Sequence, residues 1–315
     1  MENLNMKSIV IHGIKEEEQN IFCRALAEVR GMTGTASIVL LGSRQTQWFF
    51  SIWARLRRKK IIWVIFPEAD TLIPTGLLGW VYRRTATWAT IIVFSKESQD
   101  HWLQAIPTAR VRLVLPASLD SVALTQHDLF KALAGTRGHR FVIAAAVRNL
   151  DKNRIERLLG ALSIALSICP IMELIIVGEG ENRKALQWLL RKMNLSNHVW
   201  LVGDAAPLAR FLDHVDVFVV ASERPHLDDI ADLLIAMGQG VAVLGPQAAG
   251  LNDIITAKTG ALIDISDSET LARQLLRLQQ DETLCRALGR EAEIASRVFT
   301  FSRFCADLNK IISEI

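Results

Sequence analysis

Long apolar runs are missing from this sequence: none reaches the roughly eighteen residues that a membrane-spanning helix requires. The opening MENLNMKSIV also lacks the charged, apolar and small-residue sections of a secretory leader, so a cytoplasmic location is expected. Cysteine is scarce. Cys23, Cys169, Cys285 and Cys305 stand far apart, with no CxxC pair and no neighbouring His at a zinc-binding spacing, and are expected as buried free thiols. Signatures that would decide the chemistry alone are absent: there is no GxSxG turn, no phosphate loop ending in GKS or GKT, and no HExxH. No metal site is therefore expected. Neither is charge of one sign in large excess, since the net charge is +3, with 22% charged and 50% hydrophobic residues. That balance excludes extended disorder, and 315 residues suit two domains, each with its own core.

The small net charge conceals an asymmetry. Residues 1–140 carry 18 basic and 11 acidic side chains, and the remainder carries 18 and 22. Two clusters dominate the basic part: Arg55, Arg57, Arg58, Lys59 and Lys60 after QWFFSIW, and Arg83 with Arg84 after GLLGWVY. Basic residues beside Trp and Phe suit an anionic membrane surface, which would make the chain peripheral at the inner face of a membrane. They equally suit helix ends whose cations complement the dipole. Nucleic acid is not the expected partner, because the clusters sit on Trp-rich apolar helices instead of an aromatic-interleaved strand face.

What the sequence has in plenty is short Val- and Ile-rich runs separated by helix-length segments. KSIVIHGI (7–14), ASIVLLGS (36–43), KIIWVIFPEAD (60–70), TIIVFS (90–95) and VRLVLP (111–116) form a first series. After a polar break at 119–140 the series restarts with RFVIAAAV (140–147), MELIIVGEG (172–180), HVWLVGD (198–204), VDVFVVAS (215–222), GVAVLGP (240–246) and GALIDI (260–265). Runs buried on both faces and alternating with helices predict parallel strands joined by crossover helices. The fold class expected is α/β, with two Rossmann-like, doubly wound lobes, the first abbreviated, and a deep cleft between them. The domains are read as 1–125, 126–300 and a terminal helix at 301–315 crossing back to the first lobe. Doubly wound sheets take ligands at the carboxyl ends of their strands.

The sharpest local signal is VGEGENRKAL (177–186), where a strand runs into Gly178, Glu179 and Gly180 and then a helix. Glycines there let backbone approach a ligand, and the helix start favours anions. Many ordinary strand-to-helix turns share those features. The context is more specific. VRNLDKNRIERLLGAL (147–162), the VGEG turn, HVWLVGDAAPLARFLDHVDVFVVAS, the Ala236, Met237 and Gly240 helix ending, GVAVLGPQAAGLNDII and TGALIDISDSETLA occur in order over residues 148–300. Together they resemble the donor-binding lobe of glycosyltransferase family 4, retaining enzymes of the GT-B fold that use nucleotide sugars. FSRFCADL (301–308) resembles the terminal helix of that fold.

The resemblance implies a nucleotide-sugar donor as substrate, a glycan or lipid-linked glycan acceptor, and no cofactor or required metal. Breaking the sugar–diphosphate bond needs cations or aimed N–H groups on the leaving phosphates. Arg148 and Lys152 fall near the family's diphosphate-binding Arg and Lys, although Asn153 occupies the strict lysine position, followed by Arg154. Their alternative role is that of solvated helix-start charges. Gly178, Glu179, Gly180, Val202, Gly203, Asp204, Glu223, Gly250 and Asp253 are the other donor-side candidates. The family's pair of Glu residues is missing: Leu227 and Ile235 stand at those positions, and neither side chain can accept a hydroxyl hydrogen bond. Glu223, Asp228, Asp229 and Asp232 are nearby replacements, with Asp228 placed to take over the sugar contact. The same cluster also reads as solvated or helix-capping acids. On the acceptor side, His12 ends the first strand and Glu68 lies in FPEAD, where relatives often carry a histidine; a lone His is as readily structural. Transfer of a hexose-like sugar in surface-glycan synthesis is one expectation (lipopolysaccharide, capsule or exopolysaccharide). A catalytically inactive GT-B scaffold acting with another transferase is the second, and different chemistry in the same cleft, such as epimerisation or phosphorolysis, the third.

Overall fold

The computed structural model describes residues 9–12, 37–40, 51–52, 54–56, 60–66, 76–118, 140–147, 151–203 and 208–314. The chain divides into two compact units, one of residues 1–117, 226–228 and 299–315 and the other of residues 118–225 and 229–298.

The first unit is built on five parallel strands, β1 (Ile9–His12), β2 (Ser37–Leu40), β3 (Lys60–Ile65), β4 (Ala89–Val93) and β5 (Arg110–Leu113), hydrogen-bonded in that order. β3 is buried along all but its first residue and β4 along its whole length, as expected of Val/Ile-rich strands covered on both faces. On one face Trp63 organises the packing. Its indole Nε1 donates to Ser51 Oγ at 2.8 Å, and its ring lies 5.0 Å from Tyr82 and 6.3 Å from Trp102. Those partners come from the helical residues around 51–56, from α1 (Gly76–Ala86) and from α2 (Lys96–Ala105), so three helical segments line this face. Phe94 points the other way, stacked on Phe66 at 5.8 Å and on Phe304 at 6.2 Å.

The second unit holds six parallel strands: β6 (Phe141–Ala146), β7 (Met172–Val177), β8 (Val199–Val202), β9 (Val217–Val219), β10 (Ala242–Gly245) and β11 (Gly260–Leu262). Their spatial order is β11-β10-β9-β6-β7-β8. The chain therefore lays down β6, β7 and β8 in one direction, then returns to the far side of β6 for β9, β10 and β11. That reversal between β6 and β9 is the switch point at which a doubly wound sheet opens a crevice. Among the described strands the first sheet runs in sequential order without such a reversal.

The helices of this unit are α3 (Lys152–Ile168), α4 (Arg183–Lys192), α5 (Ala209–Leu212), α6 (Leu227–Gly238), α7 (Ser268–Gln280) and α8 (Glu282–Ser296). Asp151 caps α3 by accepting from the Arg154 amide at 2.9 Å, and Asp281 caps α8 through the Leu284 amide. Asp281 also closes α7, so one residue breaks the chain between two helices. Asp267 caps α7, and the Thr270 hydroxyl beside it holds its carboxyl below the usual range. The core gathers Phe141, Ile143 and Ala145 of β6, Leu174 and Ile176 of β7, and apolar residues of α3, α4, α7 and α8. The last helix, α9 (Phe301–Glu314), belongs to the first unit, where Phe304 meets Phe94 and Glu314 pairs with Arg112 at 3.1 Å.

Candidate donor-binding site

The switch point is bounded by two chain segments. After β6 the chain leads to Asp151 and α3; after β9 it runs through Ser222, Glu223 and Pro225 to α6. The buried Ser222 hydroxyl donates to the Arg224 carbonyl at 2.8 Å, folding the second segment back on itself. Arg157 of α3 donates to Glu223 and pairs with it, so the two sides of the reversal are tied by a charge-assisted contact.

Next to it lies the turn after β7. The Gly178 amide continues the ladder by donating to the Val202 carbonyl at 2.8 Å. Glu179 then projects over the end of β8, where a Cβ on Gly203 would stand 2.6 Å from Glu179 Oε2. Arg183, in the first turn of α4, completes the arrangement. Its Nη1 reaches Glu179 at 3.1 Å while Nη2 donates to the Leu201 carbonyl at 2.9 Å. Gly178, Glu179, Gly180, Val202 and Gly203 are thereby brought together as one structural unit. Sequence reasoning missed Arg183 and Arg157; the signal for Arg183 was its i+4 spacing from Glu179.

Cations follow the Asp151 cap at the start of α3 and open α4. α3 begins with Lys152 and, two residues on, Arg154; α4 begins with Arg183 and Lys184, and neither helix has an acid in its first turn. By contrast α2, α7 and α8 open with Glu97, Glu269 and Glu282. The positive end of a helix dipole disfavours cations by a few tenths to about 1 kcal/mol each. Cations gathered at two such ends are suited to receive an anion. Lys152 is exposed and reaches Glu156 one turn along the helix at 3.6 Å, a weak surface pair that an anion can displace.

The remaining candidates separate. Gly250, in the turn after β10, has φ of +90°, a conformation that explains the glycine, and Asp253 follows it half-buried. Asp228 and Asp229 are buried at the start of α6 and Asp232 is half-buried, so of the four acids read as replacements only Glu223 is exposed. None of the three aspartates is free. Leu227 is buried and Ile235 partly so, making α6 apolar where the family carries carboxylates. His12 is the last residue of β1, in register with Leu40. Arg148, Asp204 and Glu68 lie outside the described residues, as do Arg57, Arg58 and Lys59. Among the described residues no group of His, Cys, Asp and Glu is arranged to hold a metal ion. No helix among them is long and apolar enough to cross a membrane.

Residues 139–281 match the family described as Glycosyl transferases group 1, a stretch that covers the switch point, the β7 turn and the first ten strand and helix segments that follow β6. This stretch of the second unit resembles that glycosyltransferase family. The chain is 29% identical over 181 residues to the putative glycosyltransferase EpsD of Bacillus subtilis, covering 57% of this chain and 47% of that protein. It is 29% identical over 121 residues to the lipopolysaccharide core biosynthesis glycosyltransferase LpsE of Rhizobium meliloti, covering 38% and 35%. The chain thus spans about half or less of the length of these relatives. Among solved structures, HepE of Anabaena in complex with UDP superposes with a TM-score of 0.71 at 17% identity, covering 92% of this chain and 82% of that one. A glycosyltransferase from Rickettsia africae gives 0.71 at 13% identity, covering 96% and 83%. The fold is therefore GT-B, with two Rossmann-like lobes.

Proposed function

We propose that the chain transfers a sugar, of hexose type, from a nucleotide diphosphate sugar to a growing surface glycan, with retention of anomeric configuration. The observation that carries this reading is the set of cations at the starts of α3 and α4, placed beside the reversal in strand order. In such a site the diphosphate lies across the helix starts, where Lys152 and Arg154, with Arg148 four positions before Lys152 in sequence, offset the charge that develops on the leaving phosphate. The Glu179, Arg183 and Gly203 unit then borders the nucleoside. Names of relatives in exopolysaccharide and lipopolysaccharide synthesis support the acceptor class. HepE, seen with UDP and with UDP-glucose, supports the donor class.

The test is a thermal-shift screen against UDP, GDP, ADP and their sugar conjugates, with hydrolysis followed in parallel. Stabilisation by one nucleotide, weakened by Lys152→Ala and accompanied by slow sugar release, is the expected result. If no nucleotide sugar raises the melting temperature, the donor-site reading is wrong.

A second reading is favoured by one observation, the apolar Leu227 and Ile235 at the family's Glu positions. It makes the chain a GT-B scaffold that binds a nucleotide sugar without turnover and acts through a partner transferase. Nucleotide binding without hydrolysis or transfer would select it; measured transfer would reject it.

A further inference from the structure

The helical layer over Trp63 presents an outer surface that no described residue covers. On α1, Tyr82, Thr85 and Ala86 face the sheet and are buried, while Leu77 is 80% and Trp80 66% exposed. Leu77, Trp80 and Arg84 follow at i, i+3 and i+7 and so share one face of the helix, with Arg83 beside them. The neighbouring helical segment adds Leu56, 78% exposed, and Arg55, whose guanidinium lies 5.2 Å from the ring of Trp88 just after α1. α1 carries two arginines and no acid. The acids of this layer, Glu97 and Asp100, lie on α2.

Solvent-exposed Leu and Trp on a helix whose charged residues are both arginines are poorly matched to water. They fit an interface with an apolar interior and an anionic surface, where Trp sits at headgroup depth and each Arg gains from the negative surface potential. We infer that this face of the first unit docks on an anionic lipid surface, with Leu77, Trp80 and Leu56 entering the headgroup boundary and Arg55, Arg83 and Arg84 contacting lipid phosphates. The inference is independent of the proposed transfer reaction, because docking needs neither donor nor acceptor. It goes beyond the sequence expectation by identifying which side chains insert and which helix face carries them.

The test is sedimentation of the full chain, without nucleotide, with vesicles of phosphatidylcholine alone and of phosphatidylcholine mixed with phosphatidylglycerol. Binding to the mixed vesicles only, weakening as salt rises, is expected. Arg83→Ser and Arg84→Ser should each lower the affinity about fivefold. Leu77→Ser with Trp80→Ser should reduce it further, and both side chains are exposed enough for the melting temperature to stay unchanged. Absence of binding to either vesicle at low salt overturns the inference, as does binding that survives the Leu77 and Trp80 double substitution. A salt-insensitive dimer lost in that double variant would show instead that a second copy covers the face.

Discussion

Gly289 and Gly240 make a contact whose energetics can be worked out before any experiment. Gly289 lies inside α8, where glycine is a poor choice: alanine is favoured by up to about 1 kcal/mol in a helix interior. At this position, however, a Cβ would stand 2.0 Å from the carbonyl oxygen of Gly240 and 2.9 Å from its carbonyl carbon. Gly240 is itself held at φ +74° in the turn that feeds β10, so its carbonyl cannot swing aside cheaply. Restoring an ordinary contact requires α8 to retreat from the sheet by about 1 Å, and overpacking of that kind costs typically 1–3 kcal/mol, occasionally more. The clash therefore outweighs the propensity gain, and Gly289→Ala should lose about 2 kcal/mol. For a domain of this size that lowers the melting temperature by about 4–8 °C, measurable by calorimetry or urea unfolding. Gly238→Ala supplies the control, since a Cβ at the end of α6 meets nothing closer than Ser296 Oγ at 3.7 Å. It should be neutral or slightly stabilising. If Gly289→Ala melts at or above the unaltered protein, the close packing of α8 on the β10 turn is refuted.

Other perturbations separate stability from binding. Gly203→Ala places a methyl against Glu179 Oε2, a flexible side-chain end, so the melting temperature should hold while nucleotide-sugar affinity falls, by calorimetric titration. Arg157→Ala removes a half-exposed pair and should change stability by less than about 1 kcal/mol, yet raise the KM for donor by loosening the Glu223 segment. Asp151→Ala should lose about 1 kcal/mol, the usual value of an N-cap, seen in urea unfolding. Burial pushes the Cys285 thiol up to about 12 from 9.0, helped by Asp216. The unfolded thiol therefore ionises first, and stability that is complete below pH 9 is lost between about pH 9 and 12. Cys285→Ala should flatten that part of the stability–pH curve relative to the unaltered chain.

Much of the fold was legible because parallel strands buried on both faces leave contiguous Val and Ile runs; each of the eleven runs overlaps a strand. Their ends were overstated. The run 172–180 was read through the VGEG turn, but regular pairing stops at Val177, after which glycine and Glu179 leave the sheet and only the Gly178 amide still reaches β8. Strand order was not legible, since the β6–β9 reversal depends on which edge the returning chain pairs with. Gly240 was visible in a helix-ending pattern, whereas Gly289 looked like any residue of an amphipathic helix. Its reason lies across the packing interface, in the carbonyl of a residue 49 positions away. The site was legible where chemistry is local, as in the β7 turn, and illegible where charges meet across elements, as for Arg157 with Glu223.

The question of turnover comes down to α6. Asp228, Asp232 and Ile235 follow at i, i+4 and i+7 and lie along one face of the helix, whereas Leu227 is rotated from Asp228 by about 100°. A carboxylate in place of the one missing at Ile235 would therefore come from Asp232, one turn earlier and about 4.5 Å along the axis. A carboxylate in place of Leu227 would come from Asp228 only if the start of the helix presented a different side to the ligand. The first substitution is a translation along one face of the helix; the second is a rotation. Ribose hydroxyls at the end of a donor tolerate such a translation better than a reacting sugar does, because nucleotide binding needs hydrogen bonds, whereas transfer needs the anomeric carbon aligned with the leaving phosphate. Under the proposed reading binding should thus be the more robust of the two properties, and transfer would depend on how the start of α6 presents Asp228.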